Sequence, residues 1–312
     1  MSFDFEKPLE AIETRLGELA ALKEAKPGVQ AEIDKLNLEL EAKLKPIYAN
    51  LTAWQTVQVA RHPERPSLRD YIANLFGNFI ELHGDRAFGD DQAIIGGFAT
   101  LDKHRVMIIG HQKGKSVEEN IRFNFGMARP EGYRKALRLM RLAEKFHLPV
   151  ISFIDTSGAF PGLDAEERGQ AEAIARNLRD MSSLATPIVV VVTGEGGSGG
   201  ALGIGVGDRI LMLSHSVYSV ISPEGCASIL WRDGAKAPEA AETLKITATA
   251  LLKLKVVDEI VPEPPGGAHR NMAGTMKAVR KVLLKHLTEL KGFSTKKLLD
   301  RRYDKFSKIG RF

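Results

Sequence analysis

Pro187-Ile188-Val189-Val190-Val191-Val192-Thr193 runs straight into Gly194-Glu195-Gly196-Gly197-Ser198-Gly199-Gly200-Ala201. Five consecutive aliphatic residues, bounded by proline and a glycine cluster, read as a strand buried on both faces. Ala201-Leu202-Gly203-Ile204 then suggests a helix. Glycine loses more backbone entropy on ordering than any other residue, so a cluster of them weakens local structure. Its benefit is access. Without Cβ atoms a ligand can approach the backbone, and amides at a helix start have no intrahelical partner. The loop is expected to cradle an anion or an oxyanion.

Outward from this junction, strand-like runs alternate with helical spacing from about residue 65 to 262. The runs are Ala93 to Leu101, Arg105 to Gly110, Val150 to Ile154, Ile188 to Thr193, Ile210 to Leu213, Val217 to Ile221 and Val256 to Val261. Helices are expected from about Glu131 to His147, with Tyr133, Leu137, Met140 and Ala143 on one face, from Asp164 to Leu184, and from Pro238 to Leu254. The pattern predicts a layered α/β domain. Asp102-Lys103 between two short strands predicts a hairpin turn, so the sheet is not purely parallel. A second strand-to-turn junction, Phe153-Ile154-Asp155-Thr156-Ser157-Gly158-Ala159-Phe160-Pro161-Gly162, precedes an acidic helix start at Asp164-Ala165-Glu166-Glu167.

The two ends differ from this middle. Residues 1–50 place Leu9, Ile12, Leu16 and Leu19, then Val29, Ile33, Leu36, Leu40, Leu44 and Ile47, at helical spacing. Lys26-Pro27-Gly28 interrupts them, which predicts a helical hairpin. Near the other end, Met276, Val279, Leu283, Leu287 and Leu290 define a last helix. The division is 1–60 helical arm, 61–265 core and 266–312 C-terminal helix with a basic tail.

The chain of 312 residues carries a net charge of +5, and residues 296–312 account for all of it, with seven basic groups against Asp300 and Asp304. No aromatic interleaving suited to base stacking accompanies the tail, so a solvated or subunit-contacting segment is favoured over a nucleic-acid site. No apolar run approaches the roughly 18 residues of a membrane helix. MSFDFEKPLE lacks the pattern of a signal peptide, and the cytoplasm is expected. The single cysteine, Cys226, excludes an internal disulfide and a cysteine-based zinc cage. No Asp/His cluster has metal-ligand spacing, so no metal is expected here.

Several chemistries compete for the glycine loop. Gly194, Gly196 and Gly199 match G-x-G-x-x-G, but the next strand ends Leu213-Ser214-His215-Ser216 without the carboxylate that would hold a ribose. Gly196-Gly197-Ser198-Gly199-Gly200 also fits the G-x-S-x-G elbow of a serine hydrolase, with Asp258 and His269 following in the required order. A third reading is structural, a glycine-packed crossing of strand and helix. No Gly-Lys-Ser/Thr follows, which removes a Walker A loop.

Ordered blocks elsewhere are more specific. They are Ala60-Arg61-His62-Pro63, Ile108-Ile109-Gly110-His111-Gln112-Lys113-Gly114, Asn124-Phe125-Gly126-Met127, Pro130-Glu131-Gly132-Tyr133-Arg134-Lys135-Ala136-Leu137 and Ala165-Glu166-Glu167-Arg168-Gly169-Gln170. Ile221-Ser222-Pro223-Glu224-Gly225-Cys226-Ala227 and Gly266-Gly267-Ala268-His269-Arg270 follow the glycine loop. Through these blocks the chain, from about Ala60 to His269, resembles the carboxyltransferase alpha subunits of bacterial-type acetyl-coenzyme A carboxylase. The resemblance implies a crotonase-like fold, a superhelix of strand-strand-helix units with the helical hairpin before it and the helical extension after it.

It also implies a transferase acting in fatty acid biosynthesis, with biotin presented as carboxybiotin on a separate carrier protein. The partners implied are a beta subunit with a zinc ribbon on the acetyl-CoA side, in an α2β2 assembly, the biotin carboxyl carrier protein, and a separate biotin carboxylase that consumes ATP. The product is malonyl-CoA. By the family's loop, the amides of Gly199 and Gly200 face the biotin oxygen, and Gly158-Ala159 supplies a second oxyanion donor. Gly196 and Gly197 are expected to line the substrate site. The biotin anion itself is a possible base for the acetyl proton. A valine at Gly200 is expected to leave a folded protein with its amide blocked.

Other residues carry expectations of their own. Lys113 and Lys115 are candidates to meet a carboxylate or a coenzyme phosphate, beside the alternative of a solvated loop. Asp155 is expected to bond turn amides, Ser222 to cap a helix begun by Pro223, His111 to be an internal, satisfied histidine, and Cys226 a buried thiol. Two positions depart from the family's Asp-Thr-Pro-Gly-Ala-Tyr: Ser157 replaces proline, and Phe160 lacks the tyrosine hydroxyl. Neither touches a backbone amide.

Overall fold

A computed structural model describes residues 3–22 and 29–310 of the chain. The strands are β1 Gly77–Glu81, β2 Ile94–Leu101, β3 His104–His111, β4 Val150–Thr156, β5 Ile188–Gly197, β6 Arg209–Leu213, β7 Val217–Ser219 and β8 Glu259–Val261. They form one sheet in the order β1-β2-β3-β4-β5-β6-β8, with β7 paired to β5. The two pairings among β1, β2 and β3 are antiparallel, and the rest of the sheet is parallel. As expected, Asp102 and Lys103 turn β2 into β3, with Leu101 opposite His104 and Asp102 at φ 51°.

The helices are α1 Glu10–Leu22, α2 Val29–Ala49, α3 Ala53–Ala60, α4 Leu68–Leu75, α5 Val117–Arg122, α6 Pro130–Lys145 and α7 Leu163–Glu167. They continue with α8 Gln170–Ser183, α9 Ser198–Leu202, α10 Pro223–Trp231, α11 Ala237–Leu244, α12 Ala248–Lys253, α13 Met272–Lys291 and α14 Thr295–Lys308. Side chains alternate across a strand, so an uninterrupted apolar strand must feed two cores. Ile188, Val190 and Val192 pack into one core with Tyr133, Leu139 and Met140 of α6 and Met181 of α8. Val189 and Val191 pack into the other with Tyr71 of α4 and Val279 and Leu283 of α13. Each such side chain removed from water contributes roughly 1.5–3 kcal/mol. The C-terminal helix is therefore one of the sheet's two covering layers.

Two expected helices are each divided. The 164–184 stretch breaks at Gly169, whose φ of 82° caps α8. The 238–254 stretch breaks at Lys245, φ 56°, after which the Ile246 carbonyl accepts the Tyr218 N–H at 3.0 Å. Strand β1 carried no apolar alternation and was not expected. The hairpin break at 26–28 lies outside the described residues, but α1 and α2 are joined by Arg15, which bonds Glu32 at 2.9 Å. Arg270 holds this arm to the core through Glu6 and Glu13. The basic segment is not a free tail: α14 docks with Leu298 and Arg302 buried, whereas Arg311 lies outside the described residues. Ser222 caps α10 by accepting from the Gly225 N–H at 3.1 Å, and Cys226 is buried beside Ala227 and Ala240.

Candidate functional site

The carboxyl ends of β3, β4 and β5 stop at one edge of the sheet and bring together the two glycine junctions, 42 residues apart in sequence at Gly158 and Gly200. Gly200 is buried, and a Cβ there would stand 2.6 Å from Ala159 N and 2.7 Å from Gly158 O. A Cβ on Gly197 would lie 2.9 Å from Gly158 N, and one on Gly196 2.6 Å from the Tyr218 ring. Gly197 and Gly200 are required by close backbone packing and Gly196 by the Tyr218 ring, which corrects the expectation that a valine at 200 would merely cover an amide. Gly199 and Gly158 differ. A Cβ on Gly199 would touch only Ile174, at 3.6 Å or more, and one on Gly158 would meet nothing within 4 Å. An approaching group can reach the backbone at these two positions.

The glycine segment is also less of a loop than its composition suggests. Strand β5 continues through Gly197, with Gly196 opposite Thr156 and Tyr218, and Gly197 opposite Ser219. Gly196 and Gly197 thus belong to the sheet. Ser198 reverses the chain at φ 47°, and Gly199 and Gly200 fall in the first turn of α9, where N–H groups lack i−4 partners. In the facing turn, Thr156 Oγ1 takes the Gly158 N–H at 3.2 Å and donates to Gly158 O at 2.7 Å. Phe160 N–H donates to Ala128 O at 3.0 Å, and its ring lies under the Arg129 guanidinium. Ser157 is exposed.

Beside the turns lies a chain of charges. Lys113 Nζ donates to Asp155 Oδ1 at 2.7 Å and to Glu195 Oε2 at 3.3 Å. Arg61 joins Glu195 at 2.6 Å to Glu224 of α10 at 2.5 Å. Burial alone would lower the Lys113 pKa, but Asp155 and Glu195 hold it above its ordinary value. Burial would likewise raise Glu195, and Lys113 with Arg61 holds it below. Lys113 and Glu195 are therefore both charged at neutral pH. Lys113 faces inward between two carboxylates, while Lys115 pairs with Asp70 at the surface at 2.8 Å. Asp155 also accepts the Glu195 N–H at 3.0 Å, so it does bond an amide, though one of the neighbouring strand.

Arg61, Glu195 and Glu224 did not stand out as site residues, because the pairs they form span 134 and 163 residues. Glu195 as the one charge within the glycine run was the available signal. His111 is internal, as expected, but neither ring nitrogen completes a hydrogen bond. Burial, and then the Lys113 charge, push its pKa down to about 3, against the pull of the Gly200 and Phe153 backbone.

The serine-hydrolase constellation does not assemble. Asp258 precedes β8, where its N–H meets Ile210 O at 2.8 Å and its carboxylate pairs with Lys305, at the starting end of the parallel strands. Ser198 stands at the finishing end of β5. His269 is stacked on His62, ring centroids 4.1 Å apart, beneath the N-terminal arm. Among the described residues no group of three or more His, Cys, Asp or Glu is placed to hold a metal ion, and no helix is long and apolar enough to cross a membrane.

Comparison with known proteins gives a consistent result. The family described as acetyl co-enzyme A carboxylase carboxyltransferase-like matches residues 2–310. The acetyl-coenzyme A carboxylase carboxyl transferase subunit alpha of Geobacter metallireducens is 56% identical over 309 residues, covering 99% of this chain and 97% of that protein. The subunit of the same name from Halalkalibacterium halodurans is 57% identical over 310 residues, covering 99% and 95%. Among solved structures, transcarboxylase 12S aligns with a TM-score of 0.55 at 21% identity, over 68% of this chain and 41% of that one. A Pseudomonas malonate decarboxylase hetero-tetramer in complex with coenzyme A aligns at 0.57 and 16% identity, over 69% and 86%. The structural likenesses establish a crotonase-like fold, and the sequence relatives go further: this chain belongs to the family of acetyl-coenzyme A carboxylase carboxyl transferase alpha subunits.

Proposed function

We propose that this chain provides the biotin side of the carboxyltransferase of an acetyl-CoA carboxylase, moving a carboxyl group to acetyl-CoA to give malonyl-CoA for fatty acid biosynthesis in the cytoplasm. The observation that carries the reading is the near-full-length identity with alpha subunits. The open backbone at Gly199 and Gly158 supports it, because a flat ureido ring needs an approach free of Cβ atoms.

Carboxybiotin, held on a carrier protein, supplies the carboxyl group and is left with negative charge on its ureido oxygen. The chain's own task is to meet charge with donors already in place. The amides of Gly199 and Gly200, in the first turn of α9, are the donors for the biotin oxygen. In the facing turn, Thr156 occupies the Gly158 N–H, which leaves Ala159 as the candidate second donor. Fixed donors need no reorganisation as charge develops, and losing one costs about 10²–10³ in rate. Lys113 lies between Asp155 and Glu195, so it holds this wall rather than meeting substrate.

The partners of this reading are a beta subunit that carries a zinc ribbon and binds acetyl-CoA, in an α2β2 assembly, with the biotin carboxyl carrier protein and an ATP-consuming biotin carboxylase. Val117, Ile121, Leu163, Leu202, Ile229 and Leu230 stand exposed on short helices that follow the carboxyl ends of β3, β4, β5 and β7. Apolar groups collected around one edge in this way mark a protein contact, which supports a seam at the glycine turns. The test is reconstitution. The lone chain is expected to form no malonyl-CoA, and addition of the beta subunit to restore transfer from carboxybiotin. Transfer by the lone chain at the rate of the mixture would overturn the division of labour.

A further inference from the structure

We propose that Lys113, Asp155 and Glu195 are positioning residues that clamp a bulge in β5 and thereby aim the amides of Gly199 and Gly200. The inference rests on the reading of those amides as donors. From the Ile154–Val192 pair to the Thr156–Gly196 pair, β4 advances two residues and β5 advances four. Two extra residues must therefore be accommodated in β5, and a bulge leaves backbone groups outside the ladder.

Each side of this bulge is held by a charge. The Glu195 N–H donates to Asp155 Oδ1 at 3.0 Å. The Thr193 carbonyl accepts from Arg65 Nη2 at 2.7 Å and Nε at 3.2 Å, while the fully buried Glu263 carboxylate fixes Arg65 at 2.8 Å. The Asp155 carboxylate fills the bend so closely that a Cβ on Gly194 would lie 2.7 Å from its Cγ. Lys113 then bridges Asp155 and Glu195, and its stem runs under Gly126, whose φ is 77°. The clamp joins the ends of β3, β4 and β5.

Three residues beyond Glu195, Ser198 takes φ 47°, a conformation unfavourable for a residue with a Cβ. Such a conformation persists only where its surroundings over-determine it. The clamp sets the point at which β5 rejoins the ladder at Gly196 and Gly197, the two paired residues that lead into that reversal. Releasing it lets the first turn of α9 drift relative to the Gly158–Ala159 turn, and a misplacement of about 1 Å costs on the order of 10²-fold in rate.

The experiment measures carboxyl transfer to acetyl-CoA by the complex of this chain with its beta subunit. Asp155→Asn keeps the shape but not the charge, Lys113→Met removes the cation, and Lys113→Arg restores it. In the folded complex, D155N and K113M are expected to lower kcat by about 10- to 100-fold while KM for acetyl-CoA stays within about twofold, and K113R to recover most of the loss. Wild-type kcat in K113M, or equal losses in K113M and K113R, would overturn the proposal. If D155N does not fold, K113M decides, because it leaves the Glu195–Asp155 bond in place. Failure of K113M to fold would make the cluster a stability element and also overturn the proposal. An inactive wild-type complex would count instead against the proposed function.

Discussion

Arg302 closes on Asp208 through two hydrogen bonds, Nε to Oδ1 at 2.9 Å and Nη2 to Oδ2 at 2.7 Å, with both side chains almost wholly out of solvent. Its remaining donors reach the carbonyls of Met181, Leu184 and Thr186, so every guanidinium N–H is used. Asp208 in turn accepts the Ile188 N–H at 2.7 Å, which ties α14 to the first residue of β5. Removing one partner of a buried pair leaves the other charge uncompensated, at about 3–5 kcal/mol. Arg302→Met is expected to destabilise the chain by about that amount in urea melts, and Arg302→Lys to recover little, because an ammonium cannot reproduce the planar fork. Deletion of 296–312 removes the same anchor. A nucleic-acid role for this segment is therefore better tested by neutralising the exposed Lys296, Lys297 and Arg301.

The orphaned His111 ring gives a pH prediction. A histidine whose folded pKa is depressed is protonated first in the unfolded chain, so stability falls as pH drops below about 6.5 and stops falling near the folded value of about 3. Each pH unit inside that window costs about 1.4 kcal/mol per such group. His269 is lowered to about 3 as well, by burial and then by His62, and adds to the slope. Replacing His111 with leucine removes one proton from the linkage. Between pH 6 and 5, His111→Leu is expected to lose about 1 kcal/mol less stability than the wild type. An unchanged slope in thermal melts would show that His111 is protonated in the folded chain.

Gly199 and Gly200 are adjacent but should tolerate change very differently. A methyl at Gly199 finds ordinary contact with Ile174 and lies in a helical turn, where alanine is favoured over glycine by about 1 kcal/mol. One at Gly200 runs into the Gly158–Ala159 backbone, and overpacking of this kind costs about 1–3 kcal/mol or more. Gly199→Ala is expected to keep or raise the melting temperature, and Gly200→Ala to lower it. Equal melting temperatures would mean that the two turns do not touch.

The parallel strands were legible because β3, β4 and β5 each carry a mostly apolar run, 106–110, 150–154 and 188–192, and the β2–β3 hairpin because Asp102 and Lys103 punctuate two such runs. Strand β1 was not, since Gly77, Asn78 and Ile80 are exposed and leave no alternation to read. The breaks at Gly169 and Lys245 escaped because helical spacing continues across them, and only the left-handed backbone at each position ends the helix. At the site, the glycine turns announced themselves. The Lys113–Asp155–Glu195 cluster did not, because sequence spacing carries no signal for charges joined by neighbouring parallel strands. The glycines also served two purposes that composition merges: Gly200 packs against the facing turn, while Gly199 leaves the backbone open.

The exposed end of α10 offers the sharpest test of where the partner binds. Ile229 and Leu230 are 72% and 61% exposed, in the last turn of the helix whose Glu224 is joined through Arg61 to Glu195. A surface substitution away from special features changes stability by less than about 0.5 kcal/mol, so Ile229→Asp should melt like the wild type. If the seam passes here, however, the same change buries an unpaired carboxylate in an apolar contact. Affinity for the beta subunit should then fall by at least about tenfold, a loss of 1.4 kcal/mol or more. Titration of the two purified subunits separates the outcomes. Wild-type affinity in Ile229→Asp would move the seam off α10, and a parallel loss of melting temperature would assign Ile229 to the fold.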